Sequence, residues 1–166
     1  MVIILKKDNR HTIDTEIIMI DDKSFPFSKR TSGIGRKIFK DPEEAYWYAY
    51  DIDKCPRDDT RKVACQDSLY AYWYAINIDK YHRDDTREAA CKYSKWAYWY
   101  ALRVDECPRD DTRESACNDP EFAYLYAKDV DKCYRIDTYL AASKDPEFLY
   151  NYTKWLFHNF SSKTTT

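Results

Sequence analysis

The 166-residue chain predicts a mostly α-helical protein, an α-solenoid of stacked 26-residue helical hairpins preceded by a small N-terminal β-hairpin. Three observations lead there. The segment Ala-Tyr-x-Tyr-Ala begins at Ala45, Ala71, Ala97 and Ala123, a constant step of 26 residues, and such periodicity marks units that bury their apolar faces only against their neighbours. Within each unit the apolar residues recur three and four apart, the spacing of one helical face. Glycine is confined to Gly33 and Gly35, ahead of the repeats, which suits short helices and tight turns.

Residues 2–5 and 15–20 are β-branched or aliphatic runs around a polar stretch with Asp8 and Asn9, the pattern of a β-hairpin. Residues 24–35, with Pro26 and both glycines, form a connector, so 1–35 stands outside the repeat. Arg36, Lys37, Ile38, Phe39 and Lys40 align with residues 61–65 and read as the second helix of a degenerate unit zero. Full units follow at 41–66, 67–92, 93–118 and 119–144, with a partial unit from Asp145. Asp-Pro-Glu opens three of these five starts, at Asp41, Asp119 and Asp145. Asp accepts an orphan N–H as N-cap, and Pro at the first helical position has none to lose. Ser68 and Ser94 are the expected caps where the proline is missing.

From that start a first helix, A, of about 12 residues carries one buried stripe, Ala45, Tyr48, Ala49 and Ile52 in the first unit. Its equivalents are Ala71, Tyr74, Ala75 and Ile78, then Ala97, Tyr100, Ala101 and Val104, then Ala123, Tyr126, Ala127 and Val130. A turn at 54–57, with Pro56 and Pro108 as breakers in two units, leads to a shorter helix B from Asp58 to about Gln66. Asp-Asp-Thr-Arg opens it at Asp58, Asp84 and Asp110, placing acids at the positive end of a helix dipole. A terminal helix from Pro146 to about Phe160 caps the last unit through Trp155, Leu156, Phe157 and Phe160. The repeat domain therefore spans 36–160, and 161–166 is a polar, disordered tail.

A residue needed by packing recurs in every unit, whereas a site for one ligand need appear in only one. Asp53, Arg57, Asp59 and Thr60 recur at 26-residue steps through all four units. They are expected to cap and ion-pair the A–B turn, Arg meeting carboxylates with its planar fork. The alternative is a functional ladder of Arg57, Arg83, Arg109 and Arg135 facing an extended anionic partner. Tyr46, Tyr72, Tyr98 and Tyr124, beside Trp47, Trp73, Trp99 and Leu125, are the sharper binding candidates. Adjacent helix positions lie about 100° apart, so Tyr46 and Trp47 cannot share the stripe, and one of them faces a neighbouring unit or the surface. An exposed Tyr-Trp row has the composition of interface hot spots and could also stack on bases. The plainer alternative is that all these rings are core.

Six cysteines fall into two sets, Cys55, Cys107 and Cys133 at the A–B turn and Cys65, Cys91 and Cys117 near the end of helix B. With no Cys-x-x-Cys pair, neither a zinc ribbon nor a redox motif is indicated. Equivalent positions of packed helices lie about 8–10 Å apart, beyond the reach of a disulfide at about 7 Å, so small buried thiols are expected; Cys55 with Cys65 is left for geometry to decide. His11, His82 and His158 are isolated, and no nucleophile-elbow, zincin or phosphate-loop motif occurs. No catalysis, metal or cofactor is expected. Gly33-Ile34-Gly35 beside Lys29, Arg30, Arg36 and Lys37 is the segment best suited to a phosphate contact, and otherwise a solvated connector. The net charge of −2 lacks the basic footprint of a phosphate-backbone binder. No apolar run approaches the roughly 20 residues of a membrane span, and no secretory h-region is visible, which places the protein in the cytoplasm.

The stretch Asp-Pro-Glu-Phe-Ala-Tyr-Leu-Tyr-Ala-Lys-Asp-Val at 119–130 resembles a Tyr- and Ala-rich tandem helical-hairpin repeat of uncharacterised bacteriophage, large-virus and bacterial proteins. More loosely it is similar to Sel1 and tetratricopeptide hairpins, which are adaptor folds. Many units of that repeat end their first helix on glycine; Cys55, Tyr81, Cys107 and Cys133 fill the slot here, arguing against a left-handed cap. The resemblance implies a fold and no activity. The expected function is a non-catalytic protein-binding module, of the kind a viral accessory protein uses to occupy a host factor. The alternative is a nucleotide or single-stranded nucleic-acid binder using the Arg ladder and the basic loop.

Overall fold

The computed structural model describes residues 39–160, within the second of two units into which the chain divides after Arg36. The expected β-hairpin, the start of unit zero and the C-terminal tail lie outside the described residues. Phe39, from the end of that unit zero, is buried and set against Tyr48 with ring centroids 4.8 Å apart, but it is not helical.

The described residues are mostly helical and contain no strand. In the first unit α1 (Pro42–Trp47) continues as a π-helical turn, Tyr48–Asp53, and α2 is Asp58–Ala64. The next unit has α3 (Ser68–Tyr74), the π turn Ala75–Asp79 and α4 (Asp84–Ala90). The third has α5 (Ser94–Tyr100), the π turn Ala101–Asp105 and α6 (Asp110–Ala116). The fourth has α7 (Pro120–Leu125), the π turn Tyr126–Asp131 and α8 (Ile136–Ala142), and α9 (Pro146–Phe160) follows.

Asp41 and Asp119 cap their helices as expected, each accepting from the backbone N–H two residues on. Asp145 does the same for Glu147 N–H. Ser68 and Ser94 are not caps. Asp67, one residue earlier, accepts from Leu69 N–H and Tyr70 N–H at the start of α3, while Tyr93 offers α5 no side-chain cap. The serines, as first helical residues, instead donate to the carbonyls of Ala89 (2.7 Å) and Ser115 (2.8 Å), pinning the start of helix A to the end of helix B in one hairpin.

The end of helix A departs from simple α periodicity. Lys54 and Lys80 N–H donate to Ala49 and Ala75 carbonyls, five residues back, the bond of a π turn. Lys54, Lys80, Glu106 and Lys132 then take left-handed conformations with φ of 52°, 61°, 53° and 55°. The left-handed cap is therefore present, one residue before the slot expected to lack it, and it is made without glycine. A side chain carrying Cβ costs roughly 1–2 kcal/mol in that conformation. Lys80→Gly is accordingly expected to raise stability by about 1 kcal/mol, read as a higher urea midpoint at unchanged slope.

Alanine makes the close packing possible. Ala45, Ala49, Ala71, Ala75, Ala97, Ala101, Ala123 and Ala127 are all fully buried, as are Ala64, Ala90, Ala116 and Ala142 on the B helices. Each of α3, α5 and α7 packs on its own B helix, on the next A helix and on the B helix before it, as α3 does with α4, α5 and α2. Ile78 and Val130 are buried against the preceding unit, in clusters with Tyr46 and Tyr98 respectively. Ile52, expected in the same stripe, is exposed: the position packs backward on a preceding A helix, and the first unit has none among the described residues. In α9, Trp155 and Leu156 cover the last unit. Phe157 points away from it at 69 % exposure, because it lies about 140° around the helix from buried Tyr152.

Candidate functional site

The recurring polar residues build the joints between units. Tyr74, fully buried, accepts from Arg57 N–H (3.0 Å), donates to Arg57 C=O (3.1 Å) and shares a 2.8 Å hydrogen bond with Thr60. The same joint recurs as Tyr100 with Arg83 and Thr86, Tyr126 with Arg109 and Thr112, and Tyr152 with Arg135 and Thr138. One phenol thus gives the backbone N–H of the A–B turn its acceptor and adds a hydrogen bond to a carbonyl that also accepts from the helix B residue four on. Tyr152 was not among the residues the pattern singled out. Extending the 26-residue step from Tyr126 would have found it.

Beside each joint lies a buried ion pair. Arg61 Nε donates to Asp79 (3.1 Å), Arg87 Nη2 to Asp105 (2.9 Å) and Arg113 Nη2 to Asp131 (3.0 Å), each crossing from one unit to the next. All six side chains are at most 6 % exposed. The π turn explains the geometry. On an α-helix Tyr74 and Asp79, five apart, would point about 140° away from each other, whereas a turn closed five residues on returns them to one side. Arg61 then sits 5.7 Å from the Tyr74 ring centroid while it grips Asp79. Burial works against the charge on Arg61, but Asp58 and Asp79 outweigh it and raise the pKa; Arg87 and Arg113 behave alike, with Asp105 and Asp131 the strongest partners. Burial also pushes the Asp79 carboxyl above the usual carboxylate range, against the pull of Arg61.

The expected turn network is thus divided between two arginines in each of the first three units, Tyr139 standing in place of the second in the fourth. Arg57 pairs with Asp53 and Asp59, and its hydrogen bond to Asp59 holds that carboxyl below the usual range. In the later units the equivalent of Asp53 turns back to the preceding unit. Arg83, Arg109 and Arg135 keep only the acid two residues on, Asp85, Asp111 and Asp137. All four are a third to two-fifths exposed, and each is held by a carboxylate, so the row is no ladder of free cations.

The Tyr-Trp column divides as its 100° offset requires. Tyr46 and Tyr98 are buried, at 1 % and 4 %, and face the next unit. There Asn77 Nδ2 donates to the Tyr46 hydroxyl (3.0 Å), and the Tyr98 hydroxyl donates to Asp129 (2.9 Å). As binding residues they are thereby ruled out at the surface: neighbouring A helices close over them. Tyr72 and Tyr124 are half-buried, Tyr72 stacked on Trp96 with centroids 5.6 Å apart and Tyr124 beside Tyr152. Trp47, Trp73 and Trp99 are half-buried at one position of successive A helices, with Leu125 in the fourth. Rings brace them: Trp47 lies 5.1 Å from Tyr46, Trp73 5.7 Å from Tyr70, Trp99 5.1 Å from Tyr98.

The thiols also divide. Cys55, Cys107 and Cys133 are exposed, contrary to expectation, because they follow the left-handed turn residue outward. Cys65, Cys91 and Cys117 are half-buried, and burial pushes the first two up to about 12 and the third to about 11. All six are free, so Cys55 and Cys65 are not paired. Among the described residues no group of three or more His, Cys, Asp or Glu could hold a metal ion, and no helix is long and apolar enough to cross a membrane.

The chain matches no family model, no curated protein and no solved structure.

Proposed function

We propose that the protein is a non-catalytic, intracellular protein-binding module, an α-solenoid whose A helices supply the binding face. The observation that carries the reading is the alignment of Trp47, Trp73 and Trp99 at one part-exposed position of three consecutive A helices. Large rings braced from behind lose little freedom on binding and have the composition of interface anchors. In this reading the module serves as an accessory protein that occupies a host factor. A nucleic-acid role for Arg57, Arg83, Arg109 and Arg135 has less support, since each is held by a neighbouring acid.

The test replaces Trp47, Trp73 and Trp99 together by leucine, the residue the fourth unit carries at Leu125. Partners are purified from cells with the wild type and the variant, with helical circular dichroism as the folding control. A folded variant is expected to retain a tenth or less of the specific partner. Undiminished recovery of the same partners would remove this face from the function.

A further inference from the structure

Differences between units concentrate at one junction. Between the A-helix ends of the second and third units lies an open cleft of about 400 Å³ whose rim includes Lys80, Tyr81, His82, Arg103 and Glu106. Four of these depart from the repeat. Tyr81 stands where the other units have Cys55, Cys107 and Cys133, and His82 where they have Pro56, Pro108 and Tyr134. Arg103 replaces Asp51, Asn77 and Asp129, and Glu106 replaces Lys54, Lys80 and Lys132. The packing does not need these residues, since the flanking junctions do without them.

Arg103 is also chemically distinct. Every other arginine of the four units is paired with an aspartate. The contact of exposed Arg103 is instead the Trp99 ring, 5.8 Å from the guanidinium carbon to the centroid. A guanidinium laid on a ring keeps its N–H edge outward, and its fork matches two oxygens of a carboxylate or phosphate. Lys80, exposed and left-handed in its backbone, is on the same rim, and the exposed phenol of Tyr81 is oriented by Arg83 Nη1 at 3.2 Å. Asp105, beneath, is engaged by Arg87 and does not compete for Arg103. At the next junction Asp129 takes the place of Arg103 and Glu106 that of Lys80, and at the preceding one Asn77 takes the place of Arg103, so among the described junctions this one alone pairs two cations at these positions.

We infer that this cleft is an oxyanion site: Arg103, with Lys80, takes a carboxylate or phosphate group borne by a peptide segment of the partner protein. This rests on the protein-binding reading above and adds where the partner must carry a negative group.

The probes are the pentapeptide Ala-Ala-Glu-Ala-Ala, its counterpart with phosphoserine in place of Glu, and inorganic phosphate, each titrated into the full chain. Readouts are Trp fluorescence and the Nε–H resonance of Arg103. At least one peptide is expected to saturate that resonance and to bind tenfold or more tightly than inorganic phosphate, and the preferred peptide identifies the source of the anion. Arg103→Asn, which installs the second unit's own residue and so leaves packing intact, should weaken that peptide at least tenfold. Arg103→Lys should recover part of the loss. Saturation by neither peptide, affinity no better than that of phosphate, or equal binding by Arg103→Asn would overturn the assignment. Loss of the partner in the Trp variant alongside failure of the peptides would reject this cleft while leaving the A-helix face standing. Peptide binding with no effect of the Trp variant would do the reverse.

Discussion

Arg87→Met is expected to destabilise the protein by about 3–5 kcal/mol, because it leaves the Asp105 carboxylate, whose side chain is 1 % exposed, buried without a counter-charge. The pair joins the second unit to the third, so the loss falls on the interface that makes the array cooperative. Adding Asp105→Leu should recover most of that stability, since replacing both partners of a buried pair by apolar groups is often neutral or better. Asp84, the other partner of Arg87, is 98 % exposed, and Asp84→Ala should cost less than about 1 kcal/mol. Urea unfolding followed by circular dichroism gives all three values. If Arg87→Met cost no more than Asp84→Ala, the ion pair would not be a structural joint.

Alkali is expected to unfold the protein cooperatively. Burial is the largest cause raising Tyr46, Tyr72, Tyr74, Tyr98, Tyr100, Tyr126 and Tyr152 above the ordinary phenol value of 10.0. It also raises Cys65 and Cys91 from 9.0 to about 12 and Cys117 to about 11. A proton held more tightly when folded stabilises the fold below the unfolded pKa. That stabilisation is lost as pH climbs from about 9 for the thiols and about 10 for the phenols toward the folded values. Several such groups together suffice against a total stability of about 5–15 kcal/mol. Phenolate absorbance should rise in two stages, the second coinciding with loss of helical dichroism. Smooth ionisation of all the tyrosines with the helices intact would show that these rings are not buried.

Local signals carried much of the fold. The N-cap aspartates, the prolines after them and the Ala-Tyr periodicity act within about four residues along the chain, and α1, α7 and α9 begin at their prolines. Ser68 and Ser94 were misread because a serine at a helix start has two uses, and the carbonyl of a B helix 21 residues on won. Arg61, Arg87 and Arg113 are legible as the last residue of Asp-Asp-Thr-Arg, but recurrence along the chain does not say that the acids 18 residues on, Asp79, Asp105 and Asp131, face them across the joint. The departures at Tyr81, His82, Arg103 and Glu106 were equally visible, but 26-residue alignment alone does not say that residues 22 apart, such as Tyr81 and Arg103, border one cleft.

What the chain's own order of residues determined is the unit: its length, its two helices, the Asp-Pro starts and the small residues that let them touch. Those features arise from hydrogen bonds and side-chain spacing inside one turn or hairpin, so they can be read without neighbours. Tertiary structure alone decided the outward and inward assignments. The π turn at the end of each A helix changes the angular step just where the next unit docks. Asp79 therefore meets Arg61 across the joint, while Tyr46 goes under and Trp47 stays at the edge because the next A helix closes over one of two positions about 100° apart. An exposure set by the adjoining unit is a property of the stack, and no single repeat contains it.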